Sequence, residues 1–236
     1  MQIWHLDLRL DRSTFHRACA LLDPQERARC DRLASSTLRH RYAAAHAGLR
    51  RVLGHRLHCP PAQVLLARDP GGKPRLRPGP GRALHFSLSH AGDHALVAIS
   101  GEHPVGVDLE LLPPGQEFAA DLAGQMSPQE TQAIAALPET ARGLAALRCW
   151  VRKEALLKAS GHGLALAPAA LSVSCDESPR LLGSAISQYE PGHWQLAAQE
   201  HSGAWTGAVA WPGAPETVEW LRWPEDAARA DAGRHA

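Results

Sequence analysis

Apolar and polar residues alternate from the first residue of this chain. In MQIWHLDLRLDRS, Trp4, Leu6, Leu8 and Leu10 fall on every second position, the period of a strand with one buried face. The pattern predicts an edge-type strand and is not that of a signal peptide. Two later points carry helix start signals: Asp23-Pro-Gln-Glu26 and Ser127-Pro-Gln-Glu130 each place a capping residue three positions before an acid. A longer helix rich in Ala, Leu and Arg or Lys is predicted after each, ending at Gly54 in one case and Gly161 in the other, with alternating strands beyond. The Gly/Pro-rich RDPGGKPRLRPGPGR, residues 68–82, reads as a loop. The tail PEDAARADAGRHA, residues 224–236, has nothing to bury and is expected to be disordered.

Three segments recur in the same order. DPQER at 23 returns as SPQET at 127, GHRLHCPPAQV at 54 as GHGLALAPAAL at 161, and HAGDHALVA at 90 as HSGAWTGAV at 201. The common order and slowly growing offset predict a duplicated unit of about 105 residues. The expected fold is therefore α+β: two similar α/β halves related by a pseudo-twofold axis, residues 1–105 and 106–223, with a ligand cleft between them. A monomer is expected.

Composition narrows the setting. The chain is 44% hydrophobic and 21% charged, as in soluble globular proteins, and no apolar run approaches the roughly 18–20 residues of a membrane span. Five cysteines, an odd number without a C-x-x-C, suggest neither a disulfide framework nor a zinc site, so a reducing cytoplasm is the expected location. Net charge is +1, yet residues 1–105 hold 16 Lys+Arg against 8 Asp+Glu and the remainder 9 against 16. The first half is thus suited to an anion. Nucleic acid is not expected, because only 5% of residues are aromatic and a single-strand binder stacks bases on aromatic rings.

Candidate chemistry gathers in two short stretches. In VGVDLE, residues 105–110, a strand projects Asp108 and Glu110 on one face and Val107 and Leu109 on the other. Such a pair is either a solvated strand end or an all-oxygen site of the kind Mg²⁺ accepts beside phosphates. In WVRKEALLKASGHGL, residues 150–164, Trp150, Glu154 and Lys158 line one helical face. Only three of the 25 basic residues are lysine, and two of them, Lys153 and Lys158, flank Glu154. Glu154 and Lys158 read alone as a surface ion pair; beside a D-x-E strand they read as a third carboxylate and an ammonium for one site. Arg29, Arg50, Lys73 and His90 are candidate phosphate contacts in the first half.

Gly106-Val-Asp-Leu-Glu110 followed by Trp150-Val-Arg-Lys-Glu-Ala-Leu-Leu-Lys158 resembles the paired signature G-x-D-x-E and W-x-x-K-E-x-x-x-K of the 4'-phosphopantetheinyl transferases of the long, pseudodimeric type. The resemblance runs from about Glu26 to Val173 and includes Glu26-x-x-Arg29, Leu49-Arg50, Gly72-Lys-Pro74, Ser89-His90 and Ser127-Pro-x-Glu130. It departs at Ser87, where the family often has Asn. It implies transfer of 4'-phosphopantetheine from coenzyme A to a serine of an acyl or peptidyl carrier protein, leaving adenosine 3',5'-bisphosphate. On that reading Asp108, Glu110 and Glu154 hold Mg²⁺ or Mn²⁺, and Glu154 doubles as the base for the serine. Lys158 neutralises the transferring phosphate, Arg29, Arg50 and His90 hold the 3'-phosphate, and Lys73 and Ser89 fix the nucleotide or diphosphate. Lys153 is left without a role unless it meets the acceptor. A Mg²⁺-dependent nucleotide phosphohydrolase and a non-catalytic carrier-binding module are the alternatives.

Overall fold

The structure is a computed structural model that describes residues 1–69, 72–77, 84–112, 121–161 and 166–224. Its first unit contains β1 (Gln2–Asp7), α1 (Arg12–Leu21), α2 (Pro24–Asp31), α3 (Ser36–Leu57), β2 (Leu66–Arg68), β3 (Pro74–Leu76), β4 (His85–Ala91) and β5 (His94–Ser100). The second contains β6 (Gly106–Leu111), α4 (Pro128–Ala135), α5 (Glu139–Ser160), β7 (Leu171–Val173), β8 (Leu181–Ser184), β9 (Trp194–His201) and β10 (Trp205–Pro212), and β11 (Glu219–Arg222) ends the described chain. The fold is mixed α+β.

The two units repeat one plan in detail. Asp23 and Glu26 close a capping box on α2, and Ser127 and Glu130 close one on α4, each exchanging side-chain bonds with orphan backbone N–H groups of the first turn. α3 and α5 are both 22 residues long, and both end on a left-handed residue, His58 at φ 53° and Gly161 at φ 79°. Short 3₁₀ turns follow at Pro61–Gln63 and Pro168–Ala170. The antiparallel orders β1-β5-β4 and β6-β10-β9 also match, and so does their register. Leu8 N donates to Asp93 O at 2.9 Å where Leu112 N donates to Ala204 O at 2.8 Å.

Three expectations change. β1 is not an edge, because β11 pairs with it in parallel and thereby gives the first unit's sheet a strand from the end of the chain. α3 passes through Gly54 to Leu57; the glycine is there because a Cβ would lie 2.7 Å from the Cys59 carbonyl of the returning chain. Part of the presumed loop forms the β2–β3 ribbon, whereas residues 70–71 and 78–83 lie outside the described residues. Of the tail expected to be disordered, residues 224–236, all but Pro224 also lies outside them.

Each unit has its own core, around Leu49, Val52, Leu53 and Val97 in the first and Leu147, Val151, Leu156 and Leu157 in the second. A third cluster takes Ile3, Leu96 and Ala98 from one sheet and Val107, Leu109, Trp205 and Val209 from the other. It seals the two sheets together, with β4 brought against β6. That contact sets the site.

Candidate active site

β6 lies directly on α5, and Gly106 is what permits it. A Cβ at Gly106 would stand 2.0 Å from Ala155 O and 2.3 Å from Ala159 N, inside the helix backbone. Period two then buries Val107 and Leu109 and turns Asp108 and Glu110 the other way, while period 3.6 leaves Trp150, Glu154 and Lys158 as a half-buried stripe on an otherwise buried stretch of α5. The two faces meet. Lys158 Nζ donates to Asp108 Oδ1 at 2.5 Å, so it pairs across to β6 instead of forming a surface pair with Glu154.

The first unit closes this arrangement from β4. Ser89 Oγ donates to Asp108 Oδ1 at 2.7 Å and accepts from Lys158 Nζ at 3.0 Å, so three side chains from three elements form one buried triangle. Ser87 Oγ accepts from Val107 N at 3.1 Å, tying β4 to β6. That bond gives the short hydroxyl at the position of the family's frequent Asn a structural partner.

The carboxylates are strained for charge. Burial and then the neighbouring Asp108 push Glu110 from an ordinary 4.5 up to about 7, against the pull of Lys158 and of a hydrogen bond from Trp150. Burial and Asp108 raise Glu154 as well. Asp108 Oδ2 and Glu154 Oε1 are buried with no hydrogen-bond partner, an uncompensated condition that a cation relieves. Among the described residues no three His, Cys, Asp or Glu side chains already converge tightly enough to hold an ion. The donor chemistry nonetheless fits a hard divalent ion: three carboxylates, with no thiolate or imidazole among them.

Arg29, Tyr42, His46 and His90 gather on the first unit's side. The Arg29 guanidinium carbon lies 5.9 Å from the Tyr42 ring centroid, and Tyr42 stacks on His46 at 4.1 Å. Desolvation, and then the nearby His46, Lys158 and Arg29, lower the basicity of His90, although the residue as a whole is exposed. The Tyr42 hydroxyl is buried without a partner. Tyr42 and His46 are additions to the residues read from sequence, and their i,i+4 spacing on α3 was the available signal.

Three basic residues singled out from the sequence are held by protein partners. Arg50 is 3% exposed and donates to Val64 O at 2.6 Å, to Glu26 Oε2 at 2.7 Å and to Asp23 Oδ2 at 3.2 Å, so its guanidinium is held inside the first unit. Glu26, whose burial opposes ionisation, is held at about 2 by hydrogen bonds from His46 and Arg50. Lys153 is 0% exposed; it pairs with Glu130 and donates to Gln125 O at 2.8 Å, so it cannot meet an acceptor protein. Lys73 Nζ is turned to two backbone carbonyls.

Comparison with known proteins gives this arrangement a family. Residues 104–210 match the model of the 4'-phosphopantetheinyl transferase superfamily, and residues 9–102 match that of the 4'-phosphopantetheinyl transferase N-terminal domain. A putative 4'-phosphopantetheinyl transferase of Synechocystis sp. is 30% identical over 180 residues, 76% of this chain and 72% of that protein. The chain belongs to the 4'-phosphopantetheinyl transferase superfamily. The transferase HetI of Nostoc sp. is 32% identical over 166 residues, 70% of each chain, and a phosphopantetheinyl transferase of Thraustochytrium sp. is 30% identical over 208 residues, 78% of this chain and 72% of that one.

For a transferase of this long, two-unit type, the first unit is as informative as the second. By the register the units share, Trp4 and Leu6 stand where the second unit has Asp108 and Glu110. Counting along α3 from Arg50, the counterpart of Lys153, puts Arg51 and His55 in place of Glu154 and Lys158. Trp4, His55 and Trp223 pack ring against ring with centroids 5.5 to 5.9 Å apart. The Asp108 and Lys158 positions of one unit are thus a packed aromatic pair, Trp4 and His55, in the other, and no carboxylate stands at any of the four counterpart positions.

Proposed function

We propose that this chain transfers the 4'-phosphopantetheine group of coenzyme A to a serine hydroxyl of an acyl or peptidyl carrier protein and releases adenosine 3',5'-bisphosphate. The reading includes a pseudo-twofold relation between the units, a substrate cleft along the seam where β4 meets β6, and action as a monomer in the reducing cytoplasm. The observation that carries it is the Ser89–Asp108–Lys158 triangle with the partnerless oxygens of Asp108 and Glu154 beside it. A binding module would have no need of buried carboxylate oxygens left without partners.

Asp108, Glu110 and Glu154 would hold Mg²⁺, or Mn²⁺, which prefers the same oxygen donors. When bound, the ion neutralises charge on the diphosphate. Arg29, His90, Tyr42 and His46 receive the 3'-phosphate, with Arg29 offering a fork and the imidazoles and phenol single donors. Ser89 orients the diphosphate end. Lys158, a compact ammonium already desolvated on one side, faces the phosphoryl group as charge accumulates on the leaving oxygen. Glu154 accepts the serine proton at Oε1, directly or through a water.

The test is to incubate the protein with coenzyme A, Mg²⁺ and an apo carrier domain and to weigh the carrier. A gain of one phosphopantetheine per carrier is the expected result. Bisphosphate released without carrier modification would make the protein a hydrolase, and no turnover with retained carrier binding would make it a docking module.

A further inference from the structure

Lys73 belongs by sequence to the first unit, yet its side chain ends in the second. Nζ donates to Lys158 O at 2.5 Å and to Val105 O at 3.0 Å. Both acceptors matter by their place. The Lys158 carbonyl is in the last turn of α5, among the carbonyls a helix leaves without an intrahelical partner, at the end where the helix dipole favours a cation. Val105 immediately precedes Gly106, the residue over which β6 and α5 are in backbone contact. One ammonium therefore bridges the two elements that carry Asp108, Glu110, Glu154 and Lys158, at the point where they are closest.

The anchor is held from its own side too. Lys73 N donates to Asp69 Oδ1 at 2.8 Å, Asp69 N donates to Lys73 O at 3.0 Å, and Arg75 Nε donates to Asp69 Oδ2 at 3.0 Å. Pro74 then opens β3. The ribbon is braced and the lysine reaches out of it. Burial, and next the repulsion of Arg75, bring the Lys73 ammonium down to about 8, against the pull of Asp69.

We propose that Lys73 is a positioning residue: it clamps the C-terminal turn of α5 to the start of β6 and so holds Lys158 and Glu154 in register with Asp108, without itself touching substrate. The inference rests on the transferase reading for its kinetic consequence but not for its structural one. Release of the clamp shifts the Lys158 side chain relative to Asp108, and misplacement of a catalytic group by about 1 Å can cost on the order of 100-fold in rate.

Lys73→Met removes the donor and keeps the aliphatic stem, whereas Lys73→Arg can still donate to both carbonyls. Amide hydrogen exchange on the full chain is expected to rise in Lys73→Met for peptides covering 155–161 and 104–108, and to stay near wild type elsewhere. In turnover, kcat should fall about 10- to 100-fold, with the coenzyme A dissociation constant, measured by calorimetry, within about twofold, and Lys73→Arg should recover most of the loss. Unchanged exchange at both peptides overturns the clamp, and so does a loss confined to coenzyme A affinity, which would make Lys73 a substrate contact. If Lys73→Met does not fold, Lys73→Gln, which can satisfy one carbonyl, must show the same exchange at reduced size or the proposal fails. Failure of the wild type to modify any carrier would overturn the transferase reading and leave the exchange result standing.

Discussion

The Cα of Gly106 is set against the backbone of Ala155 so closely that a methyl group there would stand 2.0 Å from the Ala155 carbonyl oxygen. The obstacle is backbone, so no rotamer change relieves it. Gly106→Ala must push β6 off α5 and carry Asp108 away from Lys158. Overpacking of this kind costs about 1–3 kcal/mol, on the order of a 2–12 °C fall in Tm for a chain of this size. Activity should fall much further than stability. Calorimetry and turnover on one preparation check this; a variant with normal kcat would mean that the helix can yield without moving the site.

Glu130 and Lys153 form an ion pair from which water is excluded, as Glu26 and Arg50 do in the other unit. Glu130 also accepts from Ser127 N and Val173 N, fixing α4 and β7 to α5. Lys153→Met strands a buried carboxylate and is expected to cost about 3–5 kcal/mol. In a Glu130→Gln background the same substitution should cost clearly less, because no charge is left unpaired. Urea denaturation of the four proteins measures the coupling, and additive losses would show that the pair is not the reason Lys153 is there.

Arg50→Ala follows the same logic with a different readout. A phosphate contact would weaken coenzyme A more than dephospho-coenzyme A. A guanidinium held by Glu26, Asp23 and Val64 O should instead lower stability by about 3–5 kcal/mol and affect the two ligands alike. Calorimetric titration of both ligands decides it, and a loss selective for coenzyme A would return Arg50 to the pocket.

What could be read from sequence was what short-range periodicity records. Asp108 and Glu110 on one strand face, and Trp150, Glu154 and Lys158 on one helix face, follow from periods of 2 and 3.6, and the capping boxes at Glu26 and Glu130 from a spacing of three. The ends of the pairs were not legible. Arg50 looks like any basic residue on α3 until Glu26, 24 positions earlier, is folded beneath it, and Lys153 differs from Lys158 only in which way 100° per residue turns it. Gly54 reads as a helix stop because glycine often is one, yet here it admits a crossing chain. The pairing of β11 with β1 joins opposite ends of the described chain, and no local pattern encodes it.

The raised Glu110 gives stability a pH dependence with a definite sign. Its proton is held in the folded protein up to about 7 but lost near 4.5 when unfolded, so between those values the folded state binds more protons and stability falls as pH rises. With chelator present, the melting temperature should decline from pH 5 to 7.5, and Glu110→Gln should flatten that slope. Mg²⁺ should stabilise more at pH 7.5 than at 5.5, since it competes with the proton for the same oxygens. A Mg²⁺ effect of equal size at both pH values would remove Glu110 from the ion site.

Lys158 is held on two sides, with Nζ at 2.5 Å from Asp108 Oδ1 and 3.0 Å from Ser89 Oγ. A point-like ammonium fits between a carboxylate and a hydroxyl that are themselves hydrogen-bonded. A planar guanidinium on a longer stem would have to part them. Lys158→Arg keeps the charge yet should lower kcat by about 10-fold or more, with little change in coenzyme A affinity, because the contact it disturbs grows stronger as charge accumulates in the transition state. Lys158→Ala should lower kcat by about 100- to 1000-fold. Single-turnover measurements at saturating coenzyme A separate the chemical step from release. Full kcat in Lys158→Arg would mean that only positive charge is required at this point, and the case for an ammonium held by Ser89 and Asp108 would be lost.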